Sequence, residues 1–293
     1  MTIIFPLKIR FIINPISGTG KQKGIEKYIT KHLRNSEIIH TQKAGDATRI
    51  SKEAANENID AIIAVGGDGT VNECLNGLVN TNTAFGVIPC GSGNGFAYHI
   101  GMDSNIEKAV KQLKNIHIEN IDTCTVNGVP FVNVSGIGFD AHIANLFLTL
   151  AERGFVKYTK LVLSELNYNA KKYTINYNNI ERKVTAYMIA FANASQYGND
   201  AIISPKADFK DGLIDFVIVK DFPKWKIPIF IYLLLTGKIH LSKHVEIIQC
   251  DKMTIKAENS LLHLDGEPFK TSNPIKVAIL PKSLKILIPN ETK

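Results

Sequence analysis

Apolar positions recur along this chain in two different rhythms, and the change between them divides it. Up to about Ile116, short apolar runs alternate with stretches of helical spacing. Lys8 to Ile13 (KIRFII), Glu37 to His40, Asp60 to Val65 and Phe85 to Pro89 read as strands. Between and after them, Lys23 to Leu33, Asp46 to Asn56, Thr70 to Leu78, Phe96 to His99 and Asn105 to Lys114 carry the helical period. Asp46 or the preceding Gly45 is the expected cap of the second helix. Strand–helix repetition predicts an α/β fold with a parallel sheet covered on both faces.

Beyond Ile116 the pattern turns to strands with hairpin punctuation. Thr123 to Val126, Asn127-Gly128 and Phe131 to Val134 form one hairpin signal. Lys172 to Tyr177, Asn178-Asn179 and Glu181 to Asn193 form another. Ala141 to Asn169 reads as helical. Leu213 to Val219, Val245 to Cys250, Lys252 to Ala257, Leu261 to Leu264 and Pro274 to Ile279 read as further strands. A mainly antiparallel, sandwich-like second domain fits this run. The predicted division is 1–121 and 122–293, with the final strand able to return to the first domain.

Composition narrows the class. The chain has 293 residues, 45% of them hydrophobic, which suits two domains with real cores. The N-terminus MTIIFPLKIRFII has no small-residue cleavage site, so no signal peptide is predicted. The longest apolar run, IPIFIYLLL (Ile227 to Leu235), is too short to span a bilayer. Cys74, Cys90, Cys124 and Cys250 show no metal-ligand spacing, and reduced thiols in a cytoplasmic protein are expected. The net charge of +7 is uneven: residues 1–150 carry 13 basic and 13 acidic side chains, leaving 21 and 14 for the rest. That excess suits an anionic membrane surface or solvated faces. No aromatic-basic stripe accompanies it, so no nucleic-acid partner is expected.

Chemistry concentrates where strands end. In AIIAVGGDGTVNECLNGLV (Ala61 to Val79), an apolar strand runs into Gly66-Gly67-Asp68-Gly69-Thr70 before helical spacing begins. In open parallel sheets, ligands bind beyond the carboxyl ends of strands, where helix N-termini present N–H groups. Glycines there admit a phosphate close to the backbone. Asp68 would repel a phosphate, so it suggests a metal that offsets phosphate charge, or a proton acceptor. The plainer alternative is a tight turn with Asp68 as helix cap. Two companion loops favour the phosphate reading. Asn14-Pro15-Ile16-Ser17-Gly18-Thr19-Gly20-Lys21 leaves the first strand with hydroxyls, glycines and one lysine, without P-loop spacing. Gly91-Ser92-Gly93-Asn94-Gly95 leaves the fourth strand in the same manner.

NPISGTGK, GGDGTVNECLNG and VIPCGSGNGFA, in that order, resemble the motifs of the diacylglycerol kinase catalytic-domain family, which includes bacterial lipid kinases and sphingosine kinases. VNVSGIGFDA (Val132 to Ala141), SPKADFKDGLIDFVIV (Ser204 to Val219) and Leu264-Asp265-Gly266-Glu267 are similar to that family's later blocks, so the resemblance covers essentially the whole chain. GGDG is shared with NAD kinases and phosphofructokinases, whereas LDGE separates them.

The resemblance implies a Rossmann-like sheet of the NAD kinase/diacylglycerol kinase type followed by a β-sandwich. It implies ATP-dependent, Mg²⁺-assisted phosphorylation of a lipid alcohol of the diacylglycerol or sphingoid-base type. The nucleotide would lie between the domains, its phosphates against Gly67, Gly69, Thr70 and Ser92. Asn14, Ser17, Lys21, Thr41, Gly66, Asn72, Glu73, Gly91, Gly93 and Asn94 complete the implied nucleotide set. Asp265 is the implied general base, assisted by Glu267, with Asp68 and Asp122 able to share that duty. Asp68 and Asp122 are the implied holders of the catalytic Mg²⁺. Asp211, with the backbone carbonyls of Asp208 and Leu213, matches a structural Mg²⁺ site in some bacterial members. Read without the family, Asp265-Gly266 is a plain β-turn before it is a catalytic site, and Asp211-Gly212 is equally a turn entering a strand. Gly95 departs from the family pattern, because many bacterial members carry Asp there.

On the lipid side, Lys224-Trp225-Lys226 followed by the apolar run and Lys238 reads either as an interfacial helix or as a core helix. Leu146 to Leu150 with Phe155 reads either as acyl-pocket lining or as core. His99, His142, His240, His244 and His263 form no ligand pair, so the sequence assigns them no role. The expected partners are a lipid alcohol and an anionic membrane met peripherally; a homodimer is compatible with these features. The alternative functions are an NAD kinase-like phosphotransferase on a soluble acceptor and a catalytically silent nucleotide-binding regulator.

Overall fold

The computed structural model describes residues 7–16, 22–91, 93–148, 155–165, 167–258 and 261–290. They fall into two compact units, Met1–Ile121 with Lys282–Lys293, and Asp122–Pro281. The first unit holds β1 (Ile9–Ile13), α1 (Ile25–His32), β2 (Ser36–His40), α2 (Asp46–Asn56), β3 (Ala61–Gly66), α3 (Asp68–Leu78), β4 (Ala84–Pro89), α4 (Gly95–His99) and α5 (Ile106–Gln112). β5 (Ile116–Val126) carries the chain into the second unit. There follow β6 (Val129–Phe131), β7 (Val134–Gly138), α6 (Phe139–Leu148), α7 (Phe155–Ser164), β8 (Lys171–Tyr177), β9 (Ile180–Ala192) and β10 (Ile214–Lys220). α8 (Ile227–Leu235), β11 (Val245–Cys250), β12 (Lys252–Ala257), β13 (Leu261–Leu264), β14 (Glu267–Lys270) and β15 (Ile275–Pro289) complete the order.

In the first unit, β1, β3 and β4 are buried at every residue. Strands covered by helices on both faces have no polar side to show, which explains their nearly continuous apolar runs. The order is β15-β4-β3-β1-β2, with parallel pairing throughout. β1 leads outward to β2 on one side, and β3 leads outward to β4 on the other. The winding therefore reverses between β1 and β3, the switch point where such sheets open a crevice for ligands. Register sets the loops level: Ile13 lies beside Val65, and Gly66 beside Pro89.

The second unit pairs its strands antiparallel, in the order β14-β13-β7-β9-β8-β12-β15 with β10 and β11 branching from β9. The first half of β9 pairs β8, and its second half lies between β7 and β10. That handover builds the sandwich, with Phe131, Phe191, Phe216, Ile255 and Leu262 among the residues filling the core. The hairpin turns follow their sequences. Asn127 and Gly128 (φ 48° and 87°), and Asn178 and Asn179 (φ 48° and 64°), take the left-handed conformations that two-residue hairpins require. β15 runs well past the expected Ile279, returning to the first unit where Lys282 takes φ 51°. The expected helix over Ala141 to Asn169 is two helices, α6 and α7.

Of the two expected caps of α2, Gly45 is the N-cap; it supplies no side chain, and the Asp46 carboxylate turns back to accept the Gln42 and Lys43 N–H groups at 2.9 and 3.1 Å. Glu73 on α3 supplies the missing acceptor, taking the Ala47 N–H at 3.1 Å. This cross-helix bond needs α2 and α3 close together, and Gly77 allows it. A Cβ there would meet Ser51 Cβ at 2.6 Å and the Thr48 carbonyl at 2.8 Å.

On the second unit's sheet, Arg182 forms a fork on Glu246 at 2.7 and 2.9 Å, and Lys220 adds a third contact at 2.9 Å. The Arg182 bonds hold the Glu246 carboxyl down at about 2.

Two expectations follow. Helix propensity alone makes Gly77→Ala a gain of about 1 kcal/mol; the contact with α2 reverses the sign, and a loss of about 1–3 kcal/mol is expected in urea unfolding. Glu246 has a folded pKa below its unfolded one, so its stabilisation is full above pH about 4.5 and fades as pH falls towards 2. The stability gap between wild type and Glu246→Gln, measured by unfolding across that range, should close on acidification.

Candidate active site

At the carboxyl edge of the first unit's sheet, the loops after β1, β3 and β4 are tied to each other. Asn14 N donates to the Val65 carbonyl at 3.1 Å, and Cys90 N to the Gly66 carbonyl at 2.8 Å. Asn14 Nδ2 reaches Thr70 Oγ1 at 3.2 Å, joining the first loop to the first turn of α3. Gln22 braces the same loop, donating to the carbonyls of Asn14 and Pro15 at 3.1 and 2.9 Å. Gly66 must lack a side chain, because its Cβ would lie on Thr70 Oγ1. At Gly91 the obstacle is backbone: a Cβ there would stand 2.6 Å from Gly67 Cα.

Asp68 opens α3 behind its N-cap Gly67, and its Oδ2 accepts the Asn94 N–H at 3.0 Å. The acidic residue among glycines thus holds the third loop to the second. Asn94, in a left-handed conformation (φ 55°), closes its own loop by accepting the Gly91 N–H and donating to the Gly91 carbonyl, both at 2.8 Å. Its amide braces its own loop. Glu73, also in the implied nucleotide set, spends one carboxylate oxygen on α2. Thr41 is buried after β2, its N–H on the Ile13 carbonyl at 2.9 Å. Asn72 turns its side-chain and backbone oxygens to Asn76. Ser17, Lys21 and Ser92 lie outside the described residues.

The chemistry of this edge suits a polyphosphate. α3 points its first-turn N–H groups out of the strand end, and glycines at 66, 67, 69, 91 and 93 keep bulk away.

The second unit holds the other expected residues. Asp265 and Gly266 (φ 49° and 91°) form the two-residue turn between β13 and β14, with Leu264 opposite Glu267. The β-turn expected of these two residues is present. Asp265 is 5% exposed, and its oxygens accept the N–H groups of Val132 and Asn133 at 3.1 and 2.8 Å. Its own N–H donates to Ser135 Oγ at 3.2 Å. Glu267, half-buried, begins β14.

His263, given no role by the sequence, anchors this turn from below. It is 2% exposed, and its Nδ1 accepts the Gly266 N–H at 3.1 Å. The ring proton therefore sits on Nε2, which donates to Asp140 Oδ2 at 3.2 Å. Tyr197 donates its hydroxyl to the same oxygen at 3.2 Å, and Ala141 N donates to the other at 2.8 Å. Gly136 leaves room for Asp140, whose carboxylate occupies the space a Cβ would take. The available signal was a histidine inside the apolar run LLHL, since a polar group in a buried strand needs partners.

Asp122 is 2% exposed; its Oδ2 accepts the Gly212 N–H at 2.8 Å and its carbonyl accepts Asn193 Nδ2 at 3.0 Å. It thereby ties β5 to the Asp208–Leu213 turn. There Asp208 accepts the Lys210 N–H at 3.0 Å and Asp211 the Leu213 N–H at 2.9 Å. Burial raises the Asp211 carboxyl above its ordinary range, and the neighbouring Asp208, Asp215 and Asp122 carboxylates add to this. Among the described residues no three His, Cys, Asp or Glu side chains gather into a metal-holding group. Mg²⁺ is commonly held by one or two carboxylates with water and phosphate, a demand these turns meet in kind.

Of the expected acyl-pocket residues, Leu146 and Phe147 are half-buried, and the side chains of 148–150 and Phe155 lie outside the described set. A cavity of about 390 Å³ in the second unit is lined instead by Tyr168, Tyr187, Phe222, Lys224 and Ile227 among others.

Comparison with known proteins places the whole chain. The family model "Diacylglycerol kinase catalytic domain" matches residues 8–126, and "YegS C-terminal NAD kinase beta sandwich-like domain" matches 133–288. A "probable lipid kinase YegS-like" of Chromohalobacter salexigens is 30% identical over 257 residues, covering 85% of this chain and 82% of the relative. A diacylglycerol kinase of Bacillus subtilis is 28% identical, with 97% of both chains covered. The crystal structure of a "putative diacylglycerol kinase" from Bacillus anthracis str. Sterne superposes with a TM-score of 0.79 at 26% identity, covering 97% of each chain.

The Asp140 network gives a measurable expectation. Asp140→Ala leaves the buried His263 Nε2–H without its acceptor, takes one partner from the half-buried Tyr197 hydroxyl, and should cost about 2–4 kcal/mol in denaturant unfolding. Tyr197→Phe removes one donor and should cost about 1 kcal/mol. Hydrogen exchange at the Gly266 amide should quicken in the first variant more than in the second.

Proposed function

Because the chain belongs to the diacylglycerol kinase catalytic-domain family, and so is a lipid kinase in kind, we propose that it transfers the γ-phosphate of ATP to the hydroxyl of a lipid alcohol, of diacylglycerol or sphingoid-base type. The observation that carries this reading is the convergence of the Asn14, Gly67–Thr70 and Gly91–Asn94 loops at the β1/β3 switch point. In this reading the first unit's loops cradle the nucleotide, and Asp265 is the carboxylate that receives the proton.

The α3 N-terminus and the glycine backbones neutralise and orient the phosphates. Asp68 has hard oxygen donors at that edge and would help to hold the Mg²⁺; bound there, the ion would offset phosphate charge. The Asp208–Leu213 turn would hold a second Mg²⁺, whose charge would relieve the crowded carboxylates around Asp211.

Asp265 takes the proton from the attacking hydroxyl as the new O–P bond forms and ADP leaves. Two backbone N–H bonds hold it in a fixed position. The loose transition state of phosphoryl transfer asks for alignment and charge balance more than for a strong base, since the hydroxyl acidifies only as the bond forms. Glu267, two residues on, assists from the start of β14.

The test is transfer of labelled γ-phosphate from ATP and Mg²⁺ to a panel of lipid alcohols in mixed micelles. Asp265→Asn should lower kcat by about 10²–10⁴-fold with KM for ATP little changed. Asp68→Asn should lower kcat and also weaken the Mg²⁺ dependence. Label on no lipid alcohol, with ATP binding intact, would overturn the proposal.

A further inference from the structure

Helix α8 turns apolar side chains to solvent. It reads IPIFIYLLL, yet none of its residues is buried. Phe230 and Leu234, one turn apart, lean on the smaller core cluster of the second unit, with Phe230 stacked on Phe222 at 5.1 Å. The outer side carries Ile229, Tyr232 and Leu235 at 55%, 60% and 48% exposure, and the preceding turn carries Trp225 at 72%. Leu241, just beyond the helix, is 67% exposed. A helix that is apolar all round normally sits inside a core. Here the core takes one side only, and the other side gains from any surface that removes it from water.

Charge selects the covering surface. No Asp or Glu occurs from Phe222 to Val245, while Lys224, Lys226, Lys238 and Lys243 bracket the apolar residues. Lys224, Lys238 and Lys243 are exposed, and Lys226 lies over the Trp225 ring at 5.2 Å. A second copy of this chain set against the face would bring these lysines towards their like, without counter-charges. An anionic leaflet meets both requirements: its acyl boundary takes the apolar side chains, and its phosphates take the ammonium groups. Trp and Tyr suit that boundary, with an apolar ring and a polar edge. Nine residues reach about 14 Å, too short to span the hydrocarbon, so the helix would lie along the surface.

We propose that Lys224 to Lys243, with α8 at its centre, is the face by which this protein docks on bilayers containing anionic phospholipid. The same segment walls the aromatic cavity through Lys224 and Ile227. The proposal rests on the lipid-kinase reading for its purpose, and on the charge and exposure of this face for its substance.

Trp225 is the only tryptophan in the chain, so its emission reports on this face without a label. The full chain is titrated, without ATP or acceptor, with phosphatidylcholine vesicles and with vesicles that also contain phosphatidylglycerol. A blue shift confined to the anionic vesicles, weakened by salt, is expected. In sedimentation with the same vesicles, Lys224→Gln with Lys226→Gln should weaken binding by about 25-fold, at about 5-fold per cation. Ile229→Ser, an exposed position, should weaken it further with the thermal midpoint unchanged. Emission that ignores anionic vesicles, or binding that ignores both variants, overturns the proposal. So does a blue shift that grows with protein concentration alone, which would mark the face as a contact between copies. Transfer to a short-chain, water-soluble lipid alcohol tests the kinase reading separately, since it needs no docking.

Discussion

The first unit's candidate site depends on a close approach of two backbones. Gly91 passes Gly67 at a separation that leaves no room for a Cβ, so the loops after β3 and β4 meet main chain to main chain. Asp68 can then reach the Asn94 N–H, and Asn94 can close its own loop onto Gly91. Thr70 fills the space above Gly66 and takes the Asn14 amide, which brings in the loop after β1. A side chain at either glycine would separate loops that parallel register had set level.

Carboxylates recur in this protein as fasteners of backbone. Asp68 holds one loop, Glu73 one helix start, Asp122 one turn, and Asp265 two consecutive N–H groups. A carboxylate so bound is fixed in place, and a substitution at any of these positions frees the backbone that it fastens. His263 and Asp140 extend the pattern beneath the Asp265 turn, with each buried polar atom answered by another.

The α8 face shows the opposite economy, with apolar groups left outside and lysines gathered around them. Core and membrane place the same demand on a side chain, the removal of apolar surface from water. Composition alone does not separate them, and the sequence IPIFIYLLL suits either. Only the position of the next layer decides, and here the sheet beneath accommodates Phe230 and Leu234 while Ile229 and Tyr232 face away.

Much of the architecture was legible in the residues. Apolar runs of five or six mark strands buried on both faces, and Asn-Gly and Asn-Asn mark hairpins, because these signals arise from local burial and local backbone preference. The glycine loops were legible for the same reason, as positions where only a missing side chain fits. What the residues could not state was who meets whom. The residues do not say that Glu73 accepts an N–H of α2, that Asn94 braces its own loop, or that His263 holds the Asp265 turn. These roles depend on partners 3 to 123 positions away, and a hydrogen bond is satisfied by distance in space. Sequence determined which groups needed partners, and the tertiary structure alone decided which partners they found.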